Sequence, residues 1–220
     1  MLSVVVTNIV GCCLTLSALC CGVLCYVVLF CAVTGKTHEY VTIESCSFEN
    51  NFALMGAGAV RMSYVSNVVI RNSIFRANEA HYESVGGIEL TYCVDVIVDQ
   101  CTFENNTGEL SACGGCLAMQ DVSYVLLSNL LFANNMALGV SGRGGAMCVK
   151  LSLQTEIKNV TLTGNHATVD GGAVFIEDSV VTNMINLTFL GNSVEYGSGS
   201  AVHISDAVEC SIRNNSFQAN

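Results

Sequence analysis

Four polar residues towards the C-terminal end of the chain carry side chains that suit acid–base chemistry. They are Glu177, Asp178, His203 and Asp206. Asp178 and Asp206 lie 28 residues apart, so a repeat of that length would place their carboxylates about 5 Å apart on adjacent turns. Two carboxylates at that distance suit a retaining glycosidase or a Ca²⁺ site. Because Asp is also common in turns at strand ends, these residues are weak catalytic candidates.

The basic residues that such chemistry requires are not found at equivalent positions beside these acids. A polysaccharide lyase needs a base and a cation that neutralises the substrate, and the alignment of repeats places no Lys or Arg next to the four candidates. A cluster of carboxylates without a perturbed pKa remains a candidate and no more. The sequence therefore favours a protein without catalytic activity, with a polysaccharide lyase or glycoside hydrolase as the alternative.

The cysteines offer a second candidate chemistry. Cys113-Gly-Gly-Cys116 has the spacing of a redox or metal-binding CxxC motif. However, its Gly-Gly-Cys repeats a Gly-Gly-Ala motif found elsewhere in the chain, and no second CxxC or partner His lies nearby in the alignment. Cys46 and Cys101 share a repeat position but lie two repeats apart, about 10 Å and too far to bond. We expect these cysteines to be small core residues, with no metal or cofactor bound.

These residues must be positioned by an internal repeat. A Phe-x-x-Asn motif recurs at intervals of 27, 28, 29, 30, 27 and 28 residues. Its Phe positions are Phe48, Phe75, Phe103, Phe132, Leu162, Phe189 and Phe217. A Gly-Ala-Val-type motif lies between them, with Gly positions at Gly58, Gly86, Gly115, Gly145, Gly172 and Ser200. Each Gly position precedes the next Phe position by 17 residues, whereas the return distance varies from 10 to 13. The 17-residue part is a fixed scaffold, and the remainder is a loop that tolerates insertions.

The scaffold has the pattern of β-strands. Apolar and polar residues alternate after each Gly position, as in Val60-Arg61-Met62, and an aliphatic residue lies five residues before each Phe position. The polar residue three before the Phe position, usually Asn, indicates a tight turn in the left-handed region. The pattern predicts two or three strands per repeat and a core along the coil axis. The expected core residues are Val60, Met62, Ile70, Ile88, Leu90, Val98, Met119, Leu127, Ile157, Val174, Ile176, Val202 and Ile204.

Charged residues support this register independently. The alignment places Arg71 between Glu44 and Asp99 on neighbouring strands. It also places Arg76 between two glutamates, Glu49 and Glu104, and sets Arg61 beside Glu89. Opposite charges on adjacent strands stabilise a pair by roughly 0.2–1 kcal/mol. These charges therefore have a structural role in the predicted fold.

The repeat predicts an all-β chain, a right-handed parallel β-helix of about six to seven coils of 27–30 residues. A leucine-rich repeat is the competing fold, because residues 184–192 match its consensus locally. The return segment argues against it, since it carries Gly-Gly-Ala-Val and a second alternating strand in place of a Leu-rich helix.

Repeated Gly-Gly-Ala-Ile/Val followed by Phe-x-x-Asn resembles the repeats of the polymorphic outer membrane proteins. The resemblance covers roughly residues 41–220, and Cys31-Ala32-Val33 is expected to open the first coil, since Cys31 lies 17 residues before Phe48. The family implies an extracellular passenger domain, often in adhesion, followed by a translocating barrel that this sequence lacks. Because an uncapped coil end exposes strand edges, we expect a continuation or a cap beyond Asn220.

Residues 1–34 form a separate hydrophobic segment with no charged side chain before Lys36 and with six cysteines. This length suits a membrane-spanning helix, predicted over residues 5–33, ahead of a repeat domain at 35–220. A long signal peptide or a buried core helix are the alternatives. The chain is expected to be anchored at the cell surface or outer membrane, or secreted.

Ligands are expected at the variable loops, 52–57, 79–85, 107–114, 136–144, 166–171 and 193–199, which should stack into one ridge. The candidate contact residues are His81, Tyr82, Leu110, Leu138, Arg143, His166 and Tyr196. An extracellular glycan or a host or cell-surface protein is the expected partner, although insertions without any partner would give the same pattern.

A net charge of −10 argues against nucleic acid as a partner. Four Asn-x-Ser/Thr sequences, at Asn105, Asn159, Asn186 and Asn214, are interpreted as stacked Asn turns in preference to glycan sites.

Overall fold

The protein is a parallel β-solenoid in which each coil contributes one strand to each of four sheets. The computed structural model describes residues 3–7, 13–16, 27–30, 40–82, 85–110 and 112–220. All described pairings between strands that lie after residue 39 are parallel and join equivalent positions of neighbouring coils. Two described pairings near the N-terminus are antiparallel: Ser3–Thr7 pairs with Tyr40–Glu44, and Cys13–Leu16 pairs with Val27–Phe30. We number the sheets I to IV in the order in which the chain visits them after each Gly position.

Sheets I and II carry the two longer strands of each coil. Sheet I contains β2 (Cys13–Leu16), β3 (Val27–Phe30), β7 (Val60–Ser63), β11 (Ile88–Thr91), β15 (Leu117–Gln120), β19 (Met147–Lys150), β23 (Val174–Glu177) and β27 (Val202–Ser205). Sheet II contains β1 (Ser3–Thr7), β4 (Tyr40–Glu44), β8 (Ser66–Arg71), β12 (Val94–Asp99), β16 (Ser123–Ser128), β20 (Leu153–Lys158), β24 (Val181–Ile185) and β28 (Glu209–Arg213).

Sheets III and IV carry the shorter strands. Sheet III contains β5 (Ser47–Glu49), β9 (Ile74–Arg76), β13 (Thr102–Glu104), β17 (Leu131–Ala133), β21 (Thr161–Thr163), β25 (Thr188–Leu190) and β29 (Ser216–Gln218). Sheet IV contains β6 (Phe52–Met55), β10 (Glu79–Tyr82), β14 (Thr107–Gly108), β18 (Met136–Ala137), β22 (His166–Ala167) and β26 (Ser193–Val194). The expectation of two or three strands per coil is therefore wrong, because each variable loop begins with a sheet IV strand.

The predicted register is confirmed. Arg71 pairs with Glu44 on one side and with Asp99 on the other. Arg76 lies 3.6 Å from Glu49 and 3.0 Å from Glu104, measured between nitrogen and carboxylate oxygen. The turn before each sheet III strand is also as predicted: Asn72, Asn129, Asn159, Asn186 and Asn214 all have φ between 49° and 57°.

The predicted core is confirmed for eleven of its thirteen residues, Ile157 and Ile176 among them, and these are fully buried. Val202 and Ile204 are half-buried instead. They belong to β27, and the described residues include no further coil stacked on that strand. Buried side chains in such a core contribute roughly 1.5–3 kcal/mol each.

The helix predicted for residues 5–33 is wrong for the part of that segment that the structure describes. Residues 3–7, 13–16 and 27–30 are strands, and β3 pairs in parallel with β7 with Val27 opposite Val60. The expected opening of the first coil at Cys31-Ala32-Val33 concerns three residues that lie outside the described ones. Among the described residues, no helix is long and apolar enough to cross a membrane.

The asparagine of each Phe-x-x-Asn motif belongs to a buried ladder. The amide of Asn135 donates one hydrogen bond to Oδ1 of Asn165 and one to the carbonyl of Phe103, both at 3.0 Å. Its own Oδ1 accepts from the backbone N–H of Asn106 and from that residue's side-chain amide, at 3.0 and 2.9 Å. The same pattern joins the Asn residues of the other coils, so the ladder satisfies polar groups that no water reaches.

The phenylalanines of the motif stack beside this ladder. Ring centroids of neighbouring coils are 4.6 to 5.0 Å apart from Phe48 to Phe132, with nearly parallel planes. Leu162 interrupts the stack, which resumes at Phe189 and Phe217 with a 4.7 Å separation. This spacing matches the separation of about 4.8 Å between strands, so the rings and the backbone ladder favour the same register.

Replacing Asn135 with Ala should lower the free energy of unfolding by about 3–5 kcal/mol. The change removes the hydrogen-bond partners of the Asn106 amide groups and of the Phe103 carbonyl, all of them buried. Urea unfolding of the purified chain measures the loss.

Asn134→Ala is the matched control. Asn134 is exposed with φ of 53°, and Ala77 and Ala219 occupy the same turn position with φ of 50°. Its loss should stay below about 1 kcal/mol. Equal losses in the two variants would show that the buried ladder does not stabilise the coils.

The core also contains two threonine hydroxyls that have no hydrogen-bond partner among the described residues. Thr155 and Thr182 are neighbours in sheet II, fully buried, and follow Val68, Val96 and Val125 in the same inward row. A hydroxyl buried without a partner costs about 1–3 kcal/mol.

Thr155→Val should therefore raise the free energy of unfolding by about 1 kcal/mol, because valine fills the same volume without a hydroxyl. The midpoint of thermal unfolding should rise accordingly. Thr161→Val, at an exposed position of β21, should leave it nearly unchanged. A lower midpoint for Thr155→Val would mean that this hydroxyl makes a stabilising contact.

Candidate functional site

The variable loops close over the outer face of sheet I. The last residues of the loops at 107–114, 136–144 and 166–171 lie side by side, because the backbone of Arg143 pairs with Cys113 of the preceding coil and with Asp170 of the next. The outward row beneath them follows the strand register and consists of Arg61, Glu89, Ala118, Cys148, Phe175 and His203. We call this surface the covered face. It combines the loops with the strand face that bears Arg61 and Lys150.

Phe175 is the centre of the covered face. It points outward from β23, yet 1% of its surface is exposed. The Arg143 guanidinium lies 5.0 Å from the ring centroid and the Lys150 ammonium 5.5 Å from it. The His203 imidazole stacks at 5.3 Å. Cations over an aromatic face are attracted by its quadrupole, so the ring orders three basic side chains.

Two carboxylates complete this group, which we call the 143–203 cluster: Arg143, Lys150, Asp170, Phe175, Glu177 and His203. Glu177 lies 2.9 Å from the Lys150 ammonium and 3.6 Å from Arg143. Asp170 lies 3.6 Å from Arg143 and 3.4 Å from Nδ1 of His203. Each carboxylate thus has two basic neighbours. The cluster is an ion-pair network whose charges largely compensate one another.

The four predicted catalytic residues divide into two groups. Glu177 and His203 lie in the 143–203 cluster. Asp178 and Asp206 are exposed turn residues with φ of 51°, as the turn interpretation predicted. The expectation that no Lys or Arg lies beside these acids is wrong, because Lys150 is directly opposite Glu177 in the register.

A disulfide joins a loop to the covered face. Cys113 bonds to Cys148 of the next coil, with their Cα atoms 5.4 Å apart. Cys113 is thus not a core residue, whereas Cys116, Cys46 and Cys101 are buried in the core as predicted. Burial raises the pKa of the Cys101 thiol to about 11, and that of Cys116 well above its ordinary value. These thiols stay protonated at neutral pH, which argues against redox chemistry by them.

A small recess lies next to the disulfide. It has a volume of about 110 Å³ and is lined by Val85, Glu89, Leu90, Thr91, Cys113, Ala118 and Gln120. Ala118 is the smallest side chain of the outward row and leaves the space open. Burial raises the pKa of Glu89, and the nearby Arg61 guanidinium, 3.3 Å from the carboxylate, lowers it in part. A carboxyl with a raised pKa in a recess is a candidate binding group that the sequence assigned to an ion pair alone.

The predicted contact residues of the loops differ in exposure. Tyr82, Leu110 and Tyr196 are exposed, at 52%, 45% and 78% of their surface. His81, Leu138, Arg143 and His166 are half-buried. His81 lies 2.6 Å from Glu109 of the next coil and packs edge-on against Tyr82, and His166 lies 3.0 Å from Ser193. Within the described residues, no three His, Cys, Asp or Glu side chains converge as metal ligands.

Replacing Glu89 with Gln should stabilise the protein more at pH 7 than at pH 4. A raised folded-state pKa means that the folded chain binds the proton more tightly than the unfolded chain does. Stability is therefore lost as the pH rises from the ordinary value near 4.5 through the raised pKa. Glutamine removes this loss, and unfolding free energies of both proteins at the two pH values measure it.

Arg61→Gln tests the second cause of the shift. Without the guanidinium the pKa of Glu89 should rise further, so the loss of stability between pH 4 and pH 7 should become larger than in the native chain. If Glu89→Gln differs from the native protein by the same amount at both pH values, burial does not control this carboxyl.

The chain matches a family model described as "Right handed beta helix region" over residues 31–217. No curated protein matches it. The matched range covers the coils from Tyr40 to Phe217, and its handedness is the one that the sequence predicted. With four sheets whose strands after residue 39 pair in parallel, and with this match over most of its length, the chain belongs to the right-handed β-helix family.

Proposed function

We propose that this protein is an exported or cell-surface recognition scaffold, adhesin-like and non-catalytic, that acts through its variable loops. The observation that carries the proposal is the exposure of large apolar side chains along the loop ridge. Leu54, Met55, Tyr82, Val140 and Tyr196 have between 52% and 91% of their surface exposed. Exposed apolar groups gathered on one side of a soluble fold typically mark an interaction surface.

The loops are held in place at their bases, which favours binding. Each begins with a sheet IV strand, whose inward alanines Ala137 and Ala167 are buried. The loops at 107–114 and 136–144 end on the covered face, through the Cys113–Cys148 disulfide and through Arg143. A loop that is already ordered loses less conformational entropy when it binds a partner. The exposed tips are therefore suited to recognition.

Several features support an extracellular location. Disulfides persist mainly in oxidising compartments, and the described part of the chain includes the Cys113–Cys148 bond between a loop and a strand. The Gly-Gly-Ala-Val and Phe-x-x-Asn motifs resemble polymorphic outer membrane protein repeats, which implies surface display, either membrane-anchored or secreted. We propose an extracellular glycan or a host or cell-surface protein as the partner. The charge-free residues 1–34 are the proposed membrane contact.

A carbohydrate-active enzyme is the second candidate, and the 143–203 cluster is the observation that favours it. Lys150 and Arg143 provide basic groups beside Glu177, which acid–base chemistry on an acidic polysaccharide requires. Cleavage of polygalacturonate, alginate or a neutral polysaccharide that is lost in Lys150→Gln and retained in Asp178→Asn would establish this function in place of the first.

Shortening the longest loop should weaken recognition while preserving the fold. Residues 138–142 are replaced by Thr-Val, as at 168–169 of the short loop, so that the β18 strand and Arg143 are retained. Binding is measured on a glycan array and on immobilised extracellular-matrix proteins. We expect affinity to fall by about tenfold or more, since interface energy concentrates in few side chains, and stability to change by less than about 1 kcal/mol.

Asn134→Ala, in the same coil but outside the loop, should retain native binding. A second variant, Lys150→Gln, tests the strand face. Binding that survives shortening of every loop but is lost in Lys150→Gln would place recognition on the covered face and overturn the assignment to the loop tips.

A further inference from the structure

A groove of about 400 Å³ lies on the outer face of sheet II, away from the loops. It crosses the three adjacent strands β16, β20 and β24, which at about 4.8 Å per strand gives a length of about 10 Å. Its outward lining side chains are Tyr124, Leu126, Gln154, Glu156, Val181 and Asn183. Val125 and Thr155, whose side chains belong to the buried inward row, also border it. A volume of this size falls within the range of small-molecule binding sites.

The groove lies where the backbone conformation at one position of sheet II changes from one coil to the next. Asn67, Asp95, Tyr124 and Gln154 occupy one position in four successive coils, and all have φ between 56° and 59°. A left-handed residue at this position bends a strand as a bulge does. Val181 is the equivalent residue of the next coil and lies outside the left-handed region. The backbone at the start of β20 is therefore left-handed, whereas the backbone at the start of β24 is not. The groove lies where this conformation changes between the two strands.

The lining is partly apolar and partly polar, with little net charge. Tyr124 has 52% of its surface exposed. Leu126 and Val181 add apolar surface, and Gln154 and Asn183 contribute two side-chain amides, which both donate and accept hydrogen bonds. The one carboxylate, Glu156, is 2.9 Å from the ammonium of Lys158 on the same strand. A charged ligand would thus find no uncompensated opposite charge here.

We propose that this groove binds a neutral saccharide of about two pyranose units. A pyranose ring has an apolar face of C–H groups, which suits the Tyr124 ring, and an edge of hydroxyls, which suits amides and a carboxylate. Neutrality follows from the Glu156–Lys158 pair and from the net charge of −10, which repels acidic sugars. The length of the groove sets the number of units.

This site is separate from the loop ridge of the proposed function and stands without it. The loops lie between sheets IV and I, whereas the groove lies on sheet II. Shortening the loop at 138–142 should leave saccharide binding in the groove unchanged. Failure of the groove and failure of the loop ridge are therefore distinguishable with the same set of variants.

The test titrates the purified full chain with cellobiose, N,N′-diacetylchitobiose and digalacturonic acid, with isothermal calorimetry and saturation-transfer NMR as readouts. We expect at least one neutral disaccharide to bind in the millimolar range, and digalacturonic acid to bind about tenfold more weakly or not at all. No binding of either neutral disaccharide, or equal binding of the acidic one, would overturn the proposal.

Tyr124→Asn locates the site. Asn67 occupies the same position with nearly the same φ, so the repeat itself shows that asparagine is tolerated there. Affinity for the neutral disaccharide should fall by about tenfold, as the loss of one aromatic contact implies. The matched control is Tyr92→Asn, which removes a similarly exposed tyrosine that stacks on Tyr64 outside the groove. Native affinity in Tyr124→Asn, with thermal unfolding unchanged, would refute the assignment, as would an equal loss in Tyr92→Asn.

Discussion

The buried side-chain amides of the Phe-x-x-Asn motif impose the constraint on which the remaining structure depends. Each amide is satisfied by the next asparagine and by a Phe-position carbonyl of the preceding coil, as with Asn78, whose amide reaches Asn106 and Phe48. A slip of one residue would leave several of these groups buried without partners, at about 1–3 kcal/mol each. The Gly positions provide a second fixed point, because a side chain at Gly145 would collide with the carbonyl oxygen of Gly172 in the next coil. Extra residues can therefore leave the coil only between these two points, and that is where every loop lies.

The same constraint explains why the fold could be predicted from sequence. Residues that must repeat in type, such as Ile70 and Val98 in the core or Asn72 and Asn129 in the turn, mark the register directly. Sheet IV was not predicted, because β18 and β22 contain two residues each and cannot show an alternating pattern. The N-terminal segment was misassigned for a related reason. A mainly apolar run without charged side chains is compatible with a helix or with strands, and no charged residue before Lys36 distinguishes the two.

The candidate site was less predictable, since it combines strand residues with loop residues. When loop residues are numbered forward from the Phe position, the different loop lengths give equivalent residues different numbers. Counted backward from the Gly position, Cys113, Arg143 and Asp170 all lie two residues before it, and the structure places them in one row. That count would have brought Arg143 close to Asp170. The raised pKa of Glu89 had no signal in the sequence, because it arises from burial under a loop whose path the repeat does not specify.

In a solenoid of this kind each coil contacts only its neighbours, so different surfaces contribute to stability independently of one another. On the covered face the charges are paired with one another around Phe175. This region therefore fixes the loop ends, and little of its charge is left unpaired for a ligand. The loop tips and the sheet II groove contribute little to the ladder and can vary without cost to the register. Residues such as Val140 and Tyr124 keep large apolar surfaces exposed at positions where the fold does not require them. In a scaffold whose own polar groups are satisfied internally, such surfaces are the ones available for binding, and they face different sides of the same coil.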